Sequence, residues 1–378
     1  MKKIVTFTSL LALYCLFGAK KVSAWSGVTH EDIVSKALAL LEKENKCKTV
    51  AFYKEYTAEL LKGCTQPDSR GDVDKGSGLH YYSCVNPDGK QLADAGGYYR
   101  NRLKKISRSA RTLMEENYTG AVSLYKSGDR KNAMRVFGRA VHFLSDMGCT
   151  VHVSNMKFSI KPKNIHHAFE KRIATTGSKF SAEKFDKRLL KCYDSNSFET
   201  ATNKLVRTAS KYVDIIKSLD PRDFDHTAEE MLPIIQQNVM ALMLKFYNDC
   251  QCDNENYILD QKLYSFKNLA SGMMITAGEK GISLAKPDKK TEQCFKISLL
   301  SNGNFSLKTK DGQFVSKKFS LTSSGKPQIF RVSAMGSRQF RVTSDVDGYT
   351  KVLACTRQGK LAFTEFEPNN PAQIWVIK

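Results

Sequence analysis

Residues 130–152, RKNAMRVFGRAVHFLSDMGCTVH, combine a helical periodicity with side chains that bind metals. The spacing of apolar residues predicts a helix over Arg130–Asp146. On that helix His142 and Asp146 stand at positions i and i+4, so their side chains lie on one face. Imidazole and carboxylate are both zinc ligands. The stretch therefore predicts a helical framework that carries a metal site.

The same combination of histidine and carboxylate continues on both sides of this helix. His166 and Glu170 repeat the i,i+4 spacing, and Asp68 precedes His80 by twelve residues. Five of the seven histidines of the chain belong to the series. In chain order the candidate metal ligands are Trp25, His30, Asp68, His80, His142, Asp146, His152, His166 and Glu170. This number of ligands predicts more than one metal ion.

Each candidate also has an ordinary structural interpretation. A single His30 is more often a helix-surface residue than a ligand, and Asp68 after Pro67 fits a turn. A histidine and a glutamate four residues apart are common on helix faces, and Glu170 can pair with a lysine. Because the chain has only seven histidines in 378 residues, the joint order of the series favours a metal site.

Three residues near the series are assigned differently. His167 is an alternative to His166, which we prefer because it stands four residues before Glu170. Cys149 lies between two candidate ligands and is an alternative zinc ligand, although a disulfide or a buried thiol is the favoured interpretation. His226 lies in an acidic turn and receives no role.

Residues 1–24 have the pattern of a secretory signal peptide: two lysines, an apolar run and the small-residue sequence Val22-Ser23-Ala24. The apolar run is too short to span a bilayer as a helix. Cleavage after Ala24 predicts a secreted protein with Trp25 as its first residue. The freed α-amine of Trp25 and its own carbonyl oxygen can then chelate a metal in a five-membered ring. The alternative is an uncleaved membrane anchor.

The mature chain is strongly basic. Cleavage removes four lysines and no acidic residue, so the formal net charge falls from +21 to +17. This charge suits an approach to anionic membranes, nucleic acid or acidic glycans. A solvated basic surface without a specific partner is equally compatible with it.

The cysteines and the glycosylation motifs fit an oxidising compartment. Of ten cysteines one lies in the leader, and most of the remaining nine are expected to pair as disulfides. The odd number leaves at least one thiol over. Asn117 and Asn304 begin sequons for glycosylation.

The length and the change in sequence texture predict two domains after the leader. Residues 25–250 show helical apolar spacing and form a predicted all-α domain. Residues 258–378 show short alternating segments with turn residues between them, which predicts an all-β domain. Three segments of the second domain share the pattern Gln-x-aromatic-x-branched, starting at Gln293, Gln328 and Gln373.

This threefold repeat resembles a β-trefoil of the ricin-B lectin type, whose repeats end in a Gln-x-Trp motif. Here the third repeat has the tryptophan, Trp375. The resemblance implies a cell-surface glycan as a partner, by analogy of fold. A trefoil whose aromatic residues only fill the core is the alternative.

The series of metal ligands over residues 25 to about 250 resembles the zinc-dependent phospholipase C family, whose nine metal-site positions all have a counterpart here in order. The single-strand-specific zinc nucleases share this scaffold, but their last ligand pair closes with Asp and a longer insert precedes it. In this chain Glu170 closes the series, and thirteen residues separate His152 from His166. Both features favour the phospholipase branch.

The resemblance implies three zinc ions. Their expected ligands are Trp25, His30 and Asp146 for one ion, His80, His142 and Asp146 for a second, with Asp68 on the same metal or its water, and His152, His166 and Glu170 for the third. Asp146 would bridge two of the ions. Asp68 is the expected general base.

The function that follows is a secreted phospholipase C that acts on a phospholipid membrane surface. Metal-activated water would cleave the glycerol-side phosphodiester of a phospholipid, with choline lipids expected, and release diacylglycerol and a phosphorylated head group. One alternative is a single-strand-specific zinc nuclease, for which nucleic acid would be the partner. Another is a catalytically lapsed, zinc-stabilised lectin, against which the retention of Asp68 argues.

Overall fold

The computed structural model describes residues 27–76, 78–83, 108–154, 156, 162, 164–194, 198–252, 257–288, 291–367 and 370–378. The predicted leader and the predicted ligand Trp25 lie outside these ranges. Within them the chain forms a helical part followed by an antiparallel β part, which confirms the predicted fold class.

The helical part of the described chain contains the α-helices α1 (Gly27–Lys43), α2 (Cys47–Lys54), α3 (Thr57–Thr65), α4 (Ala110–Lys126), α5 (Arg130–Asp146), α6 (Thr150–Val153), α7 (Ile165–Thr176), α8 (Arg188–Asp194), α9 (Glu199–Ser210), α10 (Val213–Ile216) and α11 (Pro221–Gln251). A 3₁₀ turn, Gln66–Asp68, follows α3. The helix predicted over Arg130–Asp146 is confirmed as α5, which begins where the Asp129 carboxylate accepts the backbone N–H of Asn132. None of the described helices is both long and apolar enough to cross a bilayer.

Helices α3 and α5 cross at unusually short distance, and this crossing positions the site. A Cβ atom on Gly63 would lie 2.0 Å from the backbone oxygen of Arg135, and one on Gly138 would lie 2.3 Å from that of Leu60. Glycine at both positions therefore lets the backbones touch. The contact brings the end of α3, and with it Asp68, against the face of α5 that carries His142.

The helical part has its own apolar core. Aromatic side chains from four helices fill it, among them Tyr53, Tyr118, Phe137 and Phe246. The rings of Phe137 and Phe246 stack with centroids 4.1 Å apart. Burial of this size supports the helical part without a metal, because each large apolar side chain contributes about 1.5–3 kcal/mol.

The β part contains the strands β1 (Leu263–Tyr264), β2 (Phe266–Asn268), β3 (Met274–Gly278), β4 (Gly281–Ala285), β5 (Phe295–Leu299), β6 (Phe305–Lys308), β7 (Phe314–Val315), β8 (Leu321–Thr322), β9 (Phe330–Gly336), β10 (Gln339–Val346), β11 (Tyr349–Cys355), β12 (Leu361–Thr364) and β13 (Ile374–Ile377). The strands pair in the order β1-β5-β6-β9-β10-β13-β2. Because β1 and β2 are separated only by Ser265, this order closes a ring. The hairpins β3–β4, β7–β8 and β11–β12 extend from it. A closed barrel with three hairpins is the connectivity of a β-trefoil.

The repeated glutamines form similar hydrogen bonds in each of the three repeats. Gln293, Gln328 and Gln373 are buried, and each donates its side-chain N–H to a backbone oxygen, that of Lys286, Asp345 or Glu365. The aromatic residue two positions after each glutamine, Phe295, Phe330 or Trp375, is buried in the trefoil core. These aromatics pack in the core, which both interpretations of the repeat predict.

The two parts pack through α4. Thr119 Oγ1 accepts the backbone N–H of Ala334 in β9 at 3.1 Å. A Cβ atom on Gly120 would lie 2.9 Å from the backbone oxygen of Gly303 in the trefoil, so glycine is needed for this approach. The contact is close and polar.

Seven of the described cysteines form no disulfide, whereas for the remaining cysteines of the mature chain the pairing stays a prediction. The free thiols are Cys47, Cys64, Cys149, Cys250, Cys252, Cys294 and Cys355. Cys84 lies outside the described ranges.

The Asn117 side chain of the first sequon is inaccessible in the folded protein. It lies inside α4, is buried, and donates Nδ2–H to the backbone oxygen of Leu113 at 2.8 Å. A glycan cannot be attached to a side chain packed in this way. Asn304 is partly exposed.

Candidate metal centre

Eight of the nine predicted ligands lie in the described ranges, and they converge on one buried cluster. They come from separate elements, listed here in chain order: His30 from α1, Asp68 from the 3₁₀ turn, His80 from a turn segment, His142 and Asp146 from α5, His152 from α6, and His166 and Glu170 from α7. Asp68 has the most exposed side chain of the three carboxylates, at 10%, against 1% for Asp146 and 0% for Glu170.

Asp146 lies at the centre of the cluster, with histidines facing both of its carboxylate oxygens. His80 Nδ1 and His142 Nε2 lie 2.8 and 3.2 Å from Oδ2. His152 Nδ1 and His30 Nε2 lie 3.1 and 3.7 Å from Oδ1. A carboxylate with two imidazoles on each oxygen has the geometry of a bridge between two cations.

Asp68 faces the same histidines from the more open side. Its Oδ2 lies 3.8 Å from His30 Nε2, and its Oδ1 lies 3.8 Å from His80 Nδ1 and 3.9 Å from His142 Nε2. These distances are too long for direct hydrogen bonds. They would admit a zinc ion between the carboxylate and the rings, since zinc stands about 2.0–2.2 Å from such ligand atoms.

Glu170 forms a second centre. Its Oε1 lies 2.9 Å from His166 Nε2 and 3.1 Å from His152 Nε2. His166 is buried here, whereas the alternative candidate His167 is exposed on the other face of α7. The i,i+4 argument that favoured His166 therefore agrees with its position.

The second nitrogen of four of these histidines is anchored outside the cluster. His142 Nδ1 donates to the backbone oxygen of Cys64 at 2.8 Å, and His166 Nδ1 donates to that of Met156 at 2.7 Å. His80 Nε2 is hydrogen-bonded to the backbone oxygen of Asp74, and His30 Nδ1 is hydrogen-bonded to the Ser145 hydroxyl. Anchors of this kind set the tautomer, so that the other nitrogen presents its lone pair to the cluster.

The electrostatics show strong coupling between imidazoles and carboxylates. Burial raises the pKa of Asp146, but His142 and His152 outweigh it and hold that pKa well below its usual range. Burial likewise raises the pKa of Glu170, yet hydrogen bonds from His152 and His166 bring it below the usual value. Both carboxylates are therefore ionised, as metal ligands must be.

The pKa values of other members of the cluster shift in both directions. Burial, together with the charge of Asp146, raises the pKa of Asp68 to about 6. For His152, burial lowers the pKa, but Asp146 and Glu170 raise it to about 10. Burial and the neighbouring His142 hold the pKa of His30 well below its usual value. In the metal-free protein, protons bound to Asp68 and His152 therefore balance negative charge that a bound cation would otherwise balance.

The donor set fits metal ions. Among the described residues, Asp68 Oδ2, His152 Nδ1 and Glu170 Oε2 are buried and have no hydrogen-bond partner. Buried polar atoms are normally satisfied, because an unsatisfied one costs about 1–3 kcal/mol. Donor atoms also meet within 4.8 Å of one another in three groups: His30, His142 and Asp146; Asp68, His80 and His142; and Cys149, His152 and Glu170. Coordinated cations would satisfy these atoms.

The third group brings in Cys149, which the sequence interpretation considered and did not prefer. The thiol is buried, so part of that interpretation agrees with the structure. Its sulfur nevertheless lies within 4.8 Å of a possible donor atom of His152 and of Glu170. His166 Nε2 reaches the same glutamate oxygen. The assignment of individual residues to individual ions stays a prediction.

Sequence reasoning missed the residues that hold the cluster from outside. Tyr81 packs its ring 5.1 Å from that of His152. Asp74 anchors His80 through its backbone oxygen, and Arg139 binds the Asp74 carboxylate at 2.6 Å. Arg139 stands three residues before His142, one turn along α5, and this spacing is the only signal that could have indicated it.

The chain matches the family model described as "Zinc dependent phospholipase C" over residues 29–219. This range covers half of the chain and contains all eight described ligands. The chain belongs to the zinc-dependent phospholipase C family. Zinc is accordingly the metal that its donor set is expected to hold.

Individual relatives agree with this membership. A phospholipase C of Paraclostridium bifermentans is 24% identical over 180 residues, which are 44% of this chain and 44% of that relative. The match therefore spans less than half of the relative's length.

Solved structures resemble this chain in fold. The alpha-toxin of an avian strain of Clostridium perfringens matches with a TM-score of 0.50 and 16% identity, over 92% of this chain and 99% of that one. The alpha toxin of Clostridium absonum gives a TM-score of 0.49 and 15% identity, over 95% and 98%. At such identity the likeness to the first concerns the fold alone.

Proposed function

We propose that this protein is a secreted zinc-dependent phospholipase C. It hydrolyses the glycerol-side phosphodiester of phospholipids, choline lipids among them, to diacylglycerol and a phosphorylated head group. The observation that carries the proposal is the convergence of the eight described candidate ligands into one buried cluster around Asp146 and Glu170, with Asp68 at its more exposed side.

We propose three zinc ions, held as follows: Trp25, His30 and Asp146 for one; His80, His142 and Asp146 for the second, with Asp68 on the same metal or its water; His152, His166 and Glu170 for the third. Asp146 would bridge the first two, since its Oδ2 faces His80 and His142 and its Oδ1 faces His30. When bound, zinc neutralises charge on a phosphodiester and lowers the pKa of coordinated water from 15.7 to about 7.

Asp68 is proposed as the general base that accepts the proton of the attacking water. It is the carboxylate with the most exposed side chain in the cluster, at 10%, so it can meet a substrate. In the metal-free protein, burial raises its pKa to about 6. A bound zinc would lower that pKa, so Asp68 would be ionised and able to accept a proton at neutral pH. Such a base contributes roughly 10²–10⁴-fold to the rate.

The decisive experiment separates lipid from nucleic acid as the substrate. The zinc-loaded protein is incubated with phosphatidylcholine vesicles and, separately, with single-stranded DNA and RNA. Release of diacylglycerol and phosphocholine without nucleotides supports the proposal. Nucleotide release without lipid cleavage would support the nuclease instead, and binding without any hydrolysis would support a lapsed enzyme. Full activity after exhaustive EDTA treatment would refute the metal mechanism.

Secretion is part of the proposal and has its own measurement. We propose that cleavage after Ala24 leaves Trp25 at the N-terminus of the mature protein. N-terminal sequencing of the protein from culture medium, together with a zinc count by elemental analysis, tests this directly. An extended N-terminus in a protein that still binds three zinc ions would remove the Trp25 amine from the ligand set.

We further propose that the trefoil targets the enzyme to a cell surface, with a glycan as the expected partner. The high positive charge of the chain is compatible with acidic glycans. The full-length, metal-stripped protein, which cannot turn over lipid, is tested on immobilised glycans and on vesicles of neutral and anionic lipids. Absence of binding to both would contradict the targeting role.

A further inference from the structure

His80 depends on a backbone contact for its orientation. Its Nδ1 faces Asp146 Oδ2 at 2.8 Å, and its Nε2 donates to the backbone oxygen of Asp74 at 3.2 Å. Residues 69–76 and 78–83 form turns and bends, whereas His142 and Asp146 lie on a long helix. The position of the His80 ring is therefore set by whatever holds the segment around Asp74.

Helix α5 holds that segment through Arg139. The guanidinium donates to Asp74 Oδ2 at 2.6 Å and to the two carboxylate oxygens of Asp72 at 2.7 and 2.8 Å. Asp72 Oδ1 in turn accepts the backbone N–H of Asp74 at 2.9 Å. Because Arg139 is one turn before His142, the helix that carries one ligand also places the carbonyl that orients another.

A second arginine, Arg108, connects Asp74 to the trefoil through Glu116. Arg108 Nη1 lies 3.6 Å from Asp74 Oδ1, and its Nη2 donates to Glu116 Oε2 at 2.5 Å. The other oxygen of Glu116 accepts the hydroxyl hydrogen of Thr343, in β10, at 2.8 Å. Glu116 and Thr343 are only 7% and 6% exposed. Charge-assisted bonds that are shielded from water are stronger and more sharply oriented than exposed ones.

We propose that Asp74, Arg139 and Arg108 are positioning residues for the metal centre, and that the trefoil, through Thr343 and Glu116, helps to set its zinc affinity. The inference rests on the zinc site proposed above. It gives the trefoil a second role, since the domain would hold the loop that orients His80.

The test measures zinc affinity in the full-length chain. Metal is stripped and zinc is titrated back in competition with a chromophoric chelator, while circular dichroism monitors the fold. Asp74→Asn keeps the backbone oxygen but loses the ionic anchor, so zinc affinity is expected to fall about 10–100-fold, as for other outer-shell partners of a metal site. Thr343→Val removes one hydroxyl and is expected to weaken zinc binding less, with an unchanged fold.

Two matched variants serve as controls. Arg135→Gln changes an arginine one turn earlier on α5, whose partner is Glu59 in α3 at 2.7 Å, away from the anchor of His80. Thr350→Val removes a hydroxyl that donates to Asp345 inside the trefoil at 2.6 Å. Both are expected to bind zinc as the wild type does.

The double variant Asp74→Asn with Thr343→Val tests the coupling itself. If the two residues act through one set of contacts, the combined loss of affinity is smaller than the product of the single losses. Independent structural damage would multiply instead, and this result would overturn the coupling.

The outcomes of the two proposals differ. A wild type that binds no zinc refutes the proposed function. A wild type that binds zinc, with Asp74→Asn indistinguishable from Arg135→Gln, overturns the positioning role alone. Weak binding by Asp74→Asn, with Thr343→Val equal to Thr350→Val, removes the trefoil from the inference. If Asp74→Asn does not fold, the comparison of the two threonine variants still decides the role of the trefoil.

Discussion

Two buried ionic clusters lie side by side in this protein and meet at His80 and Asp74. The first joins imidazoles to Asp68, Asp146 and Glu170, and several of its buried atoms have no hydrogen-bond partner in the described part of the chain. The second joins Arg139 and Arg108 to carboxylates at 2.5–2.8 Å.

The difference between them lies in the donors. A guanidinium brings its own fixed charge and N–H groups, so a carboxylate beside it is satisfied without further partners. A neutral imidazole brings a lone pair, and several lone pairs aimed at one carboxylate require a cation between them. The first cluster is therefore built to hold metal, and the second to hold the protein in place. The following predictions test this contrast.

The largest effect is expected at Asp146, the centre of the first cluster. Asp146→Ala removes the carboxylate that faces four histidines, so zinc content should fall by at least one ion and hydrolysis should drop to background. Elemental analysis and a diacylglycerol assay measure both. Asp214→Asn, an exposed carboxylate on α10, is the control. Retention of all zinc in Asp146→Ala would contradict its bridging role.

Asp68 is predicted to matter for catalysis more than for metal content. Asp68→Asn should lower kcat by about 10²–10⁴-fold, the range for loss of a general base, while most zinc is retained. In the wild type the rate should rise with pH as Asp68 loses its proton, and the variant should lack this limb. A variant with normal kcat would assign the base to another group.

Zinc binding should be strongly pH dependent. His152 has a pKa of about 10 in the metal-free protein, so zinc must displace its proton at neutral pH. Affinity should rise with pH by about tenfold per unit for each proton displaced. Calorimetry in buffers of different ionisation enthalpy counts these protons, and binding without proton release would contradict the prediction.

The same shift has a consequence for the metal-free fold. Because the folded pKa of His152 lies above its unfolded value of about 6.5, its contribution to stability is fully present below that pH. The contribution is lost as the pH rises through about 10. Metal-free protein should therefore lose stability between these values, as measured by urea unfolding, and zinc should restore it.

Removing a charged group from the second cluster should lower the free energy of unfolding. Asp72→Asn weakens two bonds from Arg139 and is expected to destabilise the zinc-saturated protein by about 1.5–3 kcal/mol, the range for hydrogen bonds to charged groups. Burial raises the pKa of Asp72, but Arg139 brings it below its usual value. Its stabilisation is therefore present above about pH 3.9 and is lost as the pH falls through the lower folded value. Denaturation curves at pH 7 that coincide with wild type would contradict this.

The smallest effect is expected at Cys149. His166 is oriented by Met156 and completes the ligand set with Glu170, so Cys149→Ser should keep its zinc and its activity. The cobalt-substituted wild type should lack a sulfur-to-cobalt charge-transfer band. Appearance of that band, and its loss in the variant, would place the thiol among the ligands.

Much of the first cluster could be predicted along the chain. The i,i+4 pairs on α5 and α7 define their own geometry, because a helix fixes the direction of side chains one turn apart. The bounds of α5 and the glutamine repeat of the trefoil follow from local patterns of the same kind.

The second cluster could not be predicted in this way. Arg139 and Asp74 are 65 residues apart, and an arginine on an amphipathic helix is ordinarily a solvated residue. The sequon at Asn117 predicted a glycosylation site. Only the packing of α4 shows that this side chain is buried. The many cysteines likewise indicated disulfides, which seven of the described thiols do not form.

The linear order of residues was enough to predict the helical framework, the types of candidate metal ligand and their pairing within each helix, because these depend on contacts one turn apart. The folded chain alone decides which imidazoles share Asp146, which nitrogen each ring presents, and how Thr343 connects to His80. Those contacts join residues far apart in the chain, and they arise only when α3, α5 and the trefoil pack against one another.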